Sequence, residues 1–165
     1  MHHTKKGNQY YFGMKAHIGV DDVSGLVHHM ECKAANVADI TQAHKLLHRK
    51  EDPLSGDSGY TGLDKRAEMA RKRKLRYLIA EKPSKLKQIE NARELQWTKR
   101  WEHTKASLRA KMEHPFRVIK RQFGYVKVRY RGLAKNTAQV LTVFAPSNMW
   151  MKREQLMSVV GMVCL

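Results

Sequence analysis

Negative charge is scarce in this chain: 15 Asp and Glu stand against 32 Lys and Arg among 165 residues, leaving a net charge of +17. Cysteine is scarcer still. Cys32 and Cys164 lie far apart with no metal-ligand spacing, which argues against a disulfide framework and predicts free thiols in a reducing compartment. No stretch is apolar enough to span a bilayer, and the polar opening "MHHTKKGNQ" lacks the apolar run of a signal peptide. His2 and His3 in that opening read as part of a short polar start rather than a metal site. Internal repeats and low-complexity linkers are absent as well. With 42% apolar residues, wholesale disorder is excluded. These absences predict a cytoplasmic protein with one packed domain, residues 1–150, a short tail over 151–165, and no membrane partner.

The positive charge is unevenly spread. Residues 65–135 hold 23 Lys and Arg against six Glu, and so carry the whole excess. A field this concentrated attracts a polyanion, most often nucleic acid. A basic ribosome-associated or RNA-binding protein is the competing reading, although the clustered aromatics of common RNA-reading motifs are missing.

Residues 10–20, "YYFGMKAHIGV", alternate as a half-buried strand. Phe12, Met14, Ala16, Ile18 and Val20 share one face, and Tyr11, Lys15 and His17 share the other. "DDVSG" forms a turn, in which Asp21 and Asp22 serve turn chemistry, and "LVHHMECK" returns as the second strand of a hairpin. Asp39 with Gln42 three residues later predicts a capping box and a helix to about Arg49. A short strand then enters the Gly-rich turn "SGDSGYTG". Residues 64–74 read as a very basic helix, 75–80 as a strand, and "EKPSK" as a loop. Residues 85–96 carry a weak helical pattern, and 102–123 a long helix. "YVKVRYRG" reads as a short strand or extended connector, and 136–143 as a helix that Pro146 disturbs. The order β-β-α-β-α-β-α predicts a mixed sheet flanked by helices.

The long helix carries the sharpest question. Leu108, Met112, Phe116, Ile119 and Phe123 recur at helical spacing and form a core-facing stripe. Arg109, Glu113, Arg117 and Lys120 form a second stripe beside it, with Arg121 next in the chain. Pro115 either kinks this helix or marks its start. Glu113 sits among fixed cations. It is either an ordinary i±4 ion-pair partner, a contribution of ~0.2–0.5 kcal/mol per pair, or a carboxylate kept against phosphate for chemistry. Asp57, after a short strand and beside Gly56, Gly59 and Gly62, is either a turn former or a second functional acid at a strand's carboxyl end. Ser58 is a weak nucleophile candidate from the "GDSG" string. Two carboxylates in a basic protein suit metal-assisted phosphoryl transfer, because Mg2+ takes oxygen ligands and needs few of them.

"HTKKGNQYYFGMKAHIGVD", "GDSGYTG" and "ASLRAKMEHPFRVIKRQFG" resemble the catalytic domain of bacterial insertion-sequence transposases of the DDE type, and among them the insertion-sequence-five group. The resemblance runs from His3 to about Trp150. It implies a ribonuclease-H-like fold with its first strand missing. It implies Asp57 and Glu113 as the second and third acids of the catalytic triad, holding Mg2+ or Mn2+. Around the last acid the family's spacing is Tyr, two residues, Arg, three residues, Glu, six residues, Lys. Arg109, Glu113 and Lys120 fit it, while Ala106 stands where the Tyr would be. Arg109, Arg117, Lys120, Arg121 and Lys15 would contact DNA, both element ends and target, with a homo-oligomer or an intact transposase as further partner. The family's first Asp lies upstream of "HTKKGNQ", so the resemblance implies a fragment that binds DNA with impaired strand-transfer chemistry. The alternatives are a DNA-binding module or inhibitor without catalysis, and a nuclease that cuts without joining.

Overall fold

A computed structural model describes residues 1–48, 51–70 and 75–163. Three strands open the chain: β1 (His2–Lys6), β2 (Gln9–Val20) and β3 (Val27–Ala34). All pair antiparallel in the order β1-β2-β3. The N-terminal part of β2 pairs with β1, from Lys6 opposite Gln9 to His2 opposite Gly13. The rest of β2 pairs with β3, from Met14 opposite Ala34 to Val20 opposite Val27, with a bulge at Gly19/Val20. The β2–β3 hairpin matches the sequence expectation closely. In its turn the Asp21 carboxylate accepts a 2.6 Å bond from the Ser24 N–H, as a turn-forming acid should. β1 is a finding that the sequence did not announce. Its side chains are polar throughout, so no alternation marks it, and only the two-residue Gly7-Asn8 connection, with Gly7 at φ 62°, carries a hairpin signal.

A second, parallel sheet joins β4 (Leu54–Gly56) and β5 (Tyr77–Ile79). The single mixed sheet expected from the element order is therefore corrected to two small sheets, and among the described residues no strand pairs with both. The helices are α1 (Ala67–Ala70), α2 (Pro83–Leu86), α3 (Ala92–Arg121), α4 (Leu133–Met151) and α5 (Arg153–Val163).

Several helical expectations change. Residues 39–46 form two short 3-10 turns in place of one capped helix. The Asp39 carboxylate caps nothing, because Lys15 and His17 across on β2 take it at 3.3 and 3.4 Å. Arg49 lies outside the described residues, as do 71–74, where the basic helix was expected to end; within 64–70 the chain forms a 3-10 turn and the single turn of α1. The "EKPSK" loop contains α2, with Pro83 at its first turn, where the missing N–H costs nothing. The weak and long helical patterns merge into one 30-residue helix, α3, with Pro115 inside it. "YVKVRYRG" forms neither helix nor strand. Pro146 does not end α4, which continues five residues beyond it. Both Pro146 and Thr142, whose carbonyl loses its helical donor, lie on the exposed side, so water can satisfy that group. The tail expected at 151–165 contains α5.

Two cores hold these parts. In the first, Cys32, Ile119, Val140 and Phe144 are buried, and Met14, Ala16, Ile18 and Phe116 pack against them. The alternating face of β2 and the apolar stripe of α3 thus meet, with α4 closing over them. Cys32 is a free, buried thiol. The second core gathers Ala43, Leu63 and Met69 with Leu54, Tyr60 and Tyr77 around the small sheet. Burying a side chain of this size stabilises the fold by about 1.5–3 kcal/mol.

Polar anchors fix α4. The Asn148 amide accepts from the Val27 N–H at 3.1 Å and donates to the Val27 carbonyl at 2.8 Å, so it serves β3 as a neighbouring strand would. Asn136, fully buried, donates to the carbonyls of Tyr130 and Gly132 at 2.6 and 2.7 Å and accepts from the Tyr130 N–H at 3.2 Å. It organises the connection that turns from α3 into α4. Asn136→Ala removes three hydrogen bonds between this buried side chain and the backbone of Tyr130 and Gly132; at about 1 kcal/mol each, urea unfolding is expected to show a loss of about 3 kcal/mol in stability.

Candidate functional site

The site is built on α3. Its start is set by Asn91, whose side chain accepts from the N–H groups of Arg93 and Glu94 at 3.0 and 3.3 Å. Its middle is pinned by Lys105, a buried cation. The Lys105 ammonium donates to the Ile79 carbonyl at 2.8 Å and to Glu102 at 2.7 Å, and Glu102 in turn accepts from the Glu81 N–H at 3.1 Å. That cluster ties the helix to the carboxyl end of β5. Further along, Pro115, Val118 and Ile119 are buried. The spacing of 3.6 residues per turn then forces Arg109, Glu113, Arg117 and Lys120 outward. Lys120 and Arg121 occupy the last turn, where the helix dipole favours cations.

Glu113, Phe116, Arg117, Lys120 and Arg121 line one groove along this helix. Four of these five are residues the sequence singled out for chemistry or DNA contact. Three fixed cations and one carboxylate share the groove, so its field is net positive. Phe116 joins them as part of its wall, and its ring meets Phe144 edge-on with centroids 5.8 Å apart. Sequence reasoning had placed Phe116 wholly in the core stripe; half-exposure at the seam between stripes is not legible from spacing alone.

Glu113 is not held rigidly. Its side chain is 71% exposed and faces Arg109 at 3.6 Å. An exposed pair of this kind contributes about 0–1 kcal/mol, so Glu113 can exchange Arg109 for another partner at small cost. Glu113 therefore makes the i,i+4 pair with Arg109 and also lines the cationic groove.

Asp57 sits elsewhere, directly after β4 as expected. It caps a 3-10 turn, with its carboxylate accepting from the Gly59 N–H at 2.9 Å. Gly56 is closely packed: a Cβ there would stand 3.1 Å from both the Ile79 side chain and the Tyr60 ring, which would have to give by a few tenths of an ångström. Tyr60 is half-buried beside this turn. Burial pushes its phenol up to about 12, with the negative charges of Asp39 and Asp57 adding to the shift. Asp57 thus shares its surroundings with Asp39, and it does not line the α3 groove. Ser58 lies in the same turn, where its carbonyl accepts from the Thr61 hydroxyl at 2.7 Å; among the described residues no general base bonds its own hydroxyl.

Lys15, expected at DNA, spends its charge on Asp39 at 3.3 Å and on the Val37 carbonyl at 3.2 Å. His17 is buried against the same carboxylate, and its other ring nitrogen, Nε2, has no partner among the described residues. The shared face of Lys15 and His17 was visible in the β2 alternation. Their common partner was not, because it lies some 20 residues away on a segment whose helical signal was misleading.

The carboxylates were also tested as a metal site. Mg2+ and Mn2+ take oxygen donors, and Asp57 and Glu113 supply the right kind. Yet among the described residues no group of three or more His, Cys, Asp or Glu could hold a metal ion. Asp57 bonds within its own turn and lies outside the groove that Glu113 lines.

Burial holds His17 neutral by lowering its pKa, against the opposing pull of Asp39; burial and the nearby His48 act likewise on His28. A folded value below the ordinary 6.5 means that the unfolded chain binds these protons more readily. Their contribution is complete above about pH 6.5 and is lost as pH falls through the folded values. The urea midpoint is expected to drop on acidification below that point, and His17→Gln to flatten part of the slope.

A family model described as Transposase DDE domain matches residues 1–149. No solved structure matches the chain.

Proposed function

The chain belongs to the Transposase DDE domain family, and from that premise we propose that the outward face of α3 engages the phosphates of the DNA on which a transposition reaction acts. The observation that carries this reading is the shared groove lined by Glu113, Phe116, Arg117, Lys120 and Arg121. Arg117 and Arg121 suit bidentate phosphate contact, and Lys120 adds a point charge. Arg109 stands one turn back and becomes free for phosphate when Glu113 turns to another partner. Lys15 is a weaker member of this set, because Asp39 already holds it.

In this reading Glu113 and Asp57 are two acids of the catalytic set, and the motif spacing Arg109–Glu113–Lys120 supports membership of the insertion-sequence-five group. A divalent metal would supply the activation of a water or 3′-hydroxyl oxygen for attack on phosphorus. The described residues do not cage one, so metal-dependent chemistry requires further donors at this face. The protein's own contribution is to hold the strand: the cations of α3 fix the phosphates in register, and the exposed Glu113 is the group able to move toward them. A ribonuclease-H-like arrangement would also need a strand that joins the two small sheets, which the described residues do not supply. Among them, no helix is long and apolar enough to cross a membrane.

A second reading, a DNA-binding module without strand-transfer chemistry, is favoured by one observation: Asp57 lies outside the groove that holds Glu113. The two readings share their DNA contacts and differ in what Glu113 does. Arg117→Ala combined with Lys120→Ala is expected to weaken binding to any duplex sequence. The slope of log affinity against log salt should fall by about 1.8, since each phosphate contact contributes about 0.9. Unchanged affinity and slope would remove α3 from the interface. In the same titrations Glu113→Gln should tighten binding modestly without metal, because it deletes the groove's one negative charge. In a joining assay with Mg2+ and element ends, loss of activity in Glu113→Gln supports the catalytic reading. Absence of joining by the unsubstituted chain supports the binding module.

A further inference from the structure

The β1–β2 hairpin carries a second surface with different chemistry from that of α3. Tyr10, Tyr11 and Phe12 are 71%, 49% and 58% exposed, an unusual run of open rings on a strand. Tyr10 and Phe12 lie on the face of β2 that further along, at Met14, Ala16 and Ile18, packs into the first core. The face therefore continues past the core's edge with its rings uncovered by any described element. Directly across on β1, Lys5 is paired with Tyr10 and His3 with Phe12. The Lys5 ammonium stands 5.6 Å from the centroid of the Tyr10 ring, and the His3 and Phe12 rings are 4.9 Å apart and tilted by 54°. One exposed face thus presents two aromatic rings in succession, each flanked by a nitrogen-bearing side chain.

We propose that this face is a stacking platform for unpaired bases of single-stranded DNA. The rings are two residues apart on one strand, about 6.6–6.8 Å along it, so each can take its own base. Aromatic platforms interleaved with cations are what binding of single strands without sequence preference requires: the ring takes the base face and the cation the backbone. A duplex cannot use such rings, because its bases are already stacked on each other. The α3 groove offers mainly cations and suits phosphates, so the two surfaces divide the work. A second copy of the chain fits less well, since a two-fold contact through this patch sets Lys5 and its surroundings against an identical cationic face. Residues 1–20 hold Lys5, Lys6 and Lys15 and no Asp or Glu, which favours a polyanionic occupant in the same way. The choice of DNA over RNA rests on the function proposed above.

The test uses the full chain and fluorescence anisotropy with three probes of equal length: oligothymidylate, a DNA duplex and oligouridylate. Tyr10→Leu with Phe12→Leu keeps apolar bulk at exposed positions. Its affinity for oligothymidylate is expected to fall roughly tenfold for each ring removed, with duplex affinity within about twofold of the unsubstituted chain. Unchanged single-strand affinity overturns the proposal. So does an equal loss on both DNA probes, tighter binding of oligouridylate than oligothymidylate, or a dimer of the unsubstituted chain that the double variant abolishes. A measurement that needs no variant guards against misfolding: 2-aminopurine within the oligothymidylate should be further quenched on binding, and an unquenched probe overturns the platform. Duplex binding without single-strand binding defeats this inference alone. Binding of neither DNA probe defeats the α3 reading as well.

Discussion

Burial of one stripe of α3 is the constraint on which the rest depends. Ile119, Val118 and Pro115 are all buried, and Ile119 is packed in one core with residues of the β2–β3 hairpin and α4. Once that stripe is seated, helical geometry leaves no choice about the remaining positions. Arg109, Glu113, Arg117 and Lys120 face outward on a rod fixed at its middle by Lys105 and at its far end by the first core. The hydrophobic contact thereby aims a set of charges. The electrostatic consequence is a net positive groove whose members cannot withdraw from solvent, and this is what a phosphate-binding surface needs.

Two prolines are tolerated in helix interiors, Pro115 in α3 and Pro146 in α4. Pro115 faces inward and is fully buried. Pro146 faces outward, where the carbonyl it frees can meet water. In each case the cost of a missing backbone bond is offset by the surroundings, and the helix continues. A proline in a sequence therefore marks a boundary only when nothing around it can make good the lost bond.

What could be read from the sequence follows from where the information lies. The alternation of Met14, Ala16 and Ile18, the turn at Asp21, and the spacing of Leu108, Met112, Phe116 and Ile119 are local patterns, and the structure contains them. Asp57 sits at a strand's end, as the Gly-rich turn implied. What failed depended on partners far away in the chain. Asp39 looked like a helix cap because its neighbours allow one, but Lys15 and His17 claim it. The strand at His2–Lys6 has no apolar alternation because no core lies beneath it. The charges around Glu113 were legible as a set, whereas its openness to solvent depends on how far α3 protrudes from the sheet beneath.

Two surfaces of unlike chemistry result: a cationic helix face lined by Arg117, Lys120 and Arg121, and an aromatic hairpin end bearing Tyr10 and Phe12. Asp57 and Asp39 occupy a third region around Tyr60, separate from the groove. The central claim concerns the first surface, and a contact measurement tests it without relying on changes in affinity. A photo-crosslinking amino acid is placed at position 120 in one protein and at position 141, an exposed site on α4, in another. With the same duplex DNA, crosslinking from position 120 and none above background from position 141 is the predicted result. Equal crosslinking from both positions, or crosslinking from 141 alone, would contradict the account.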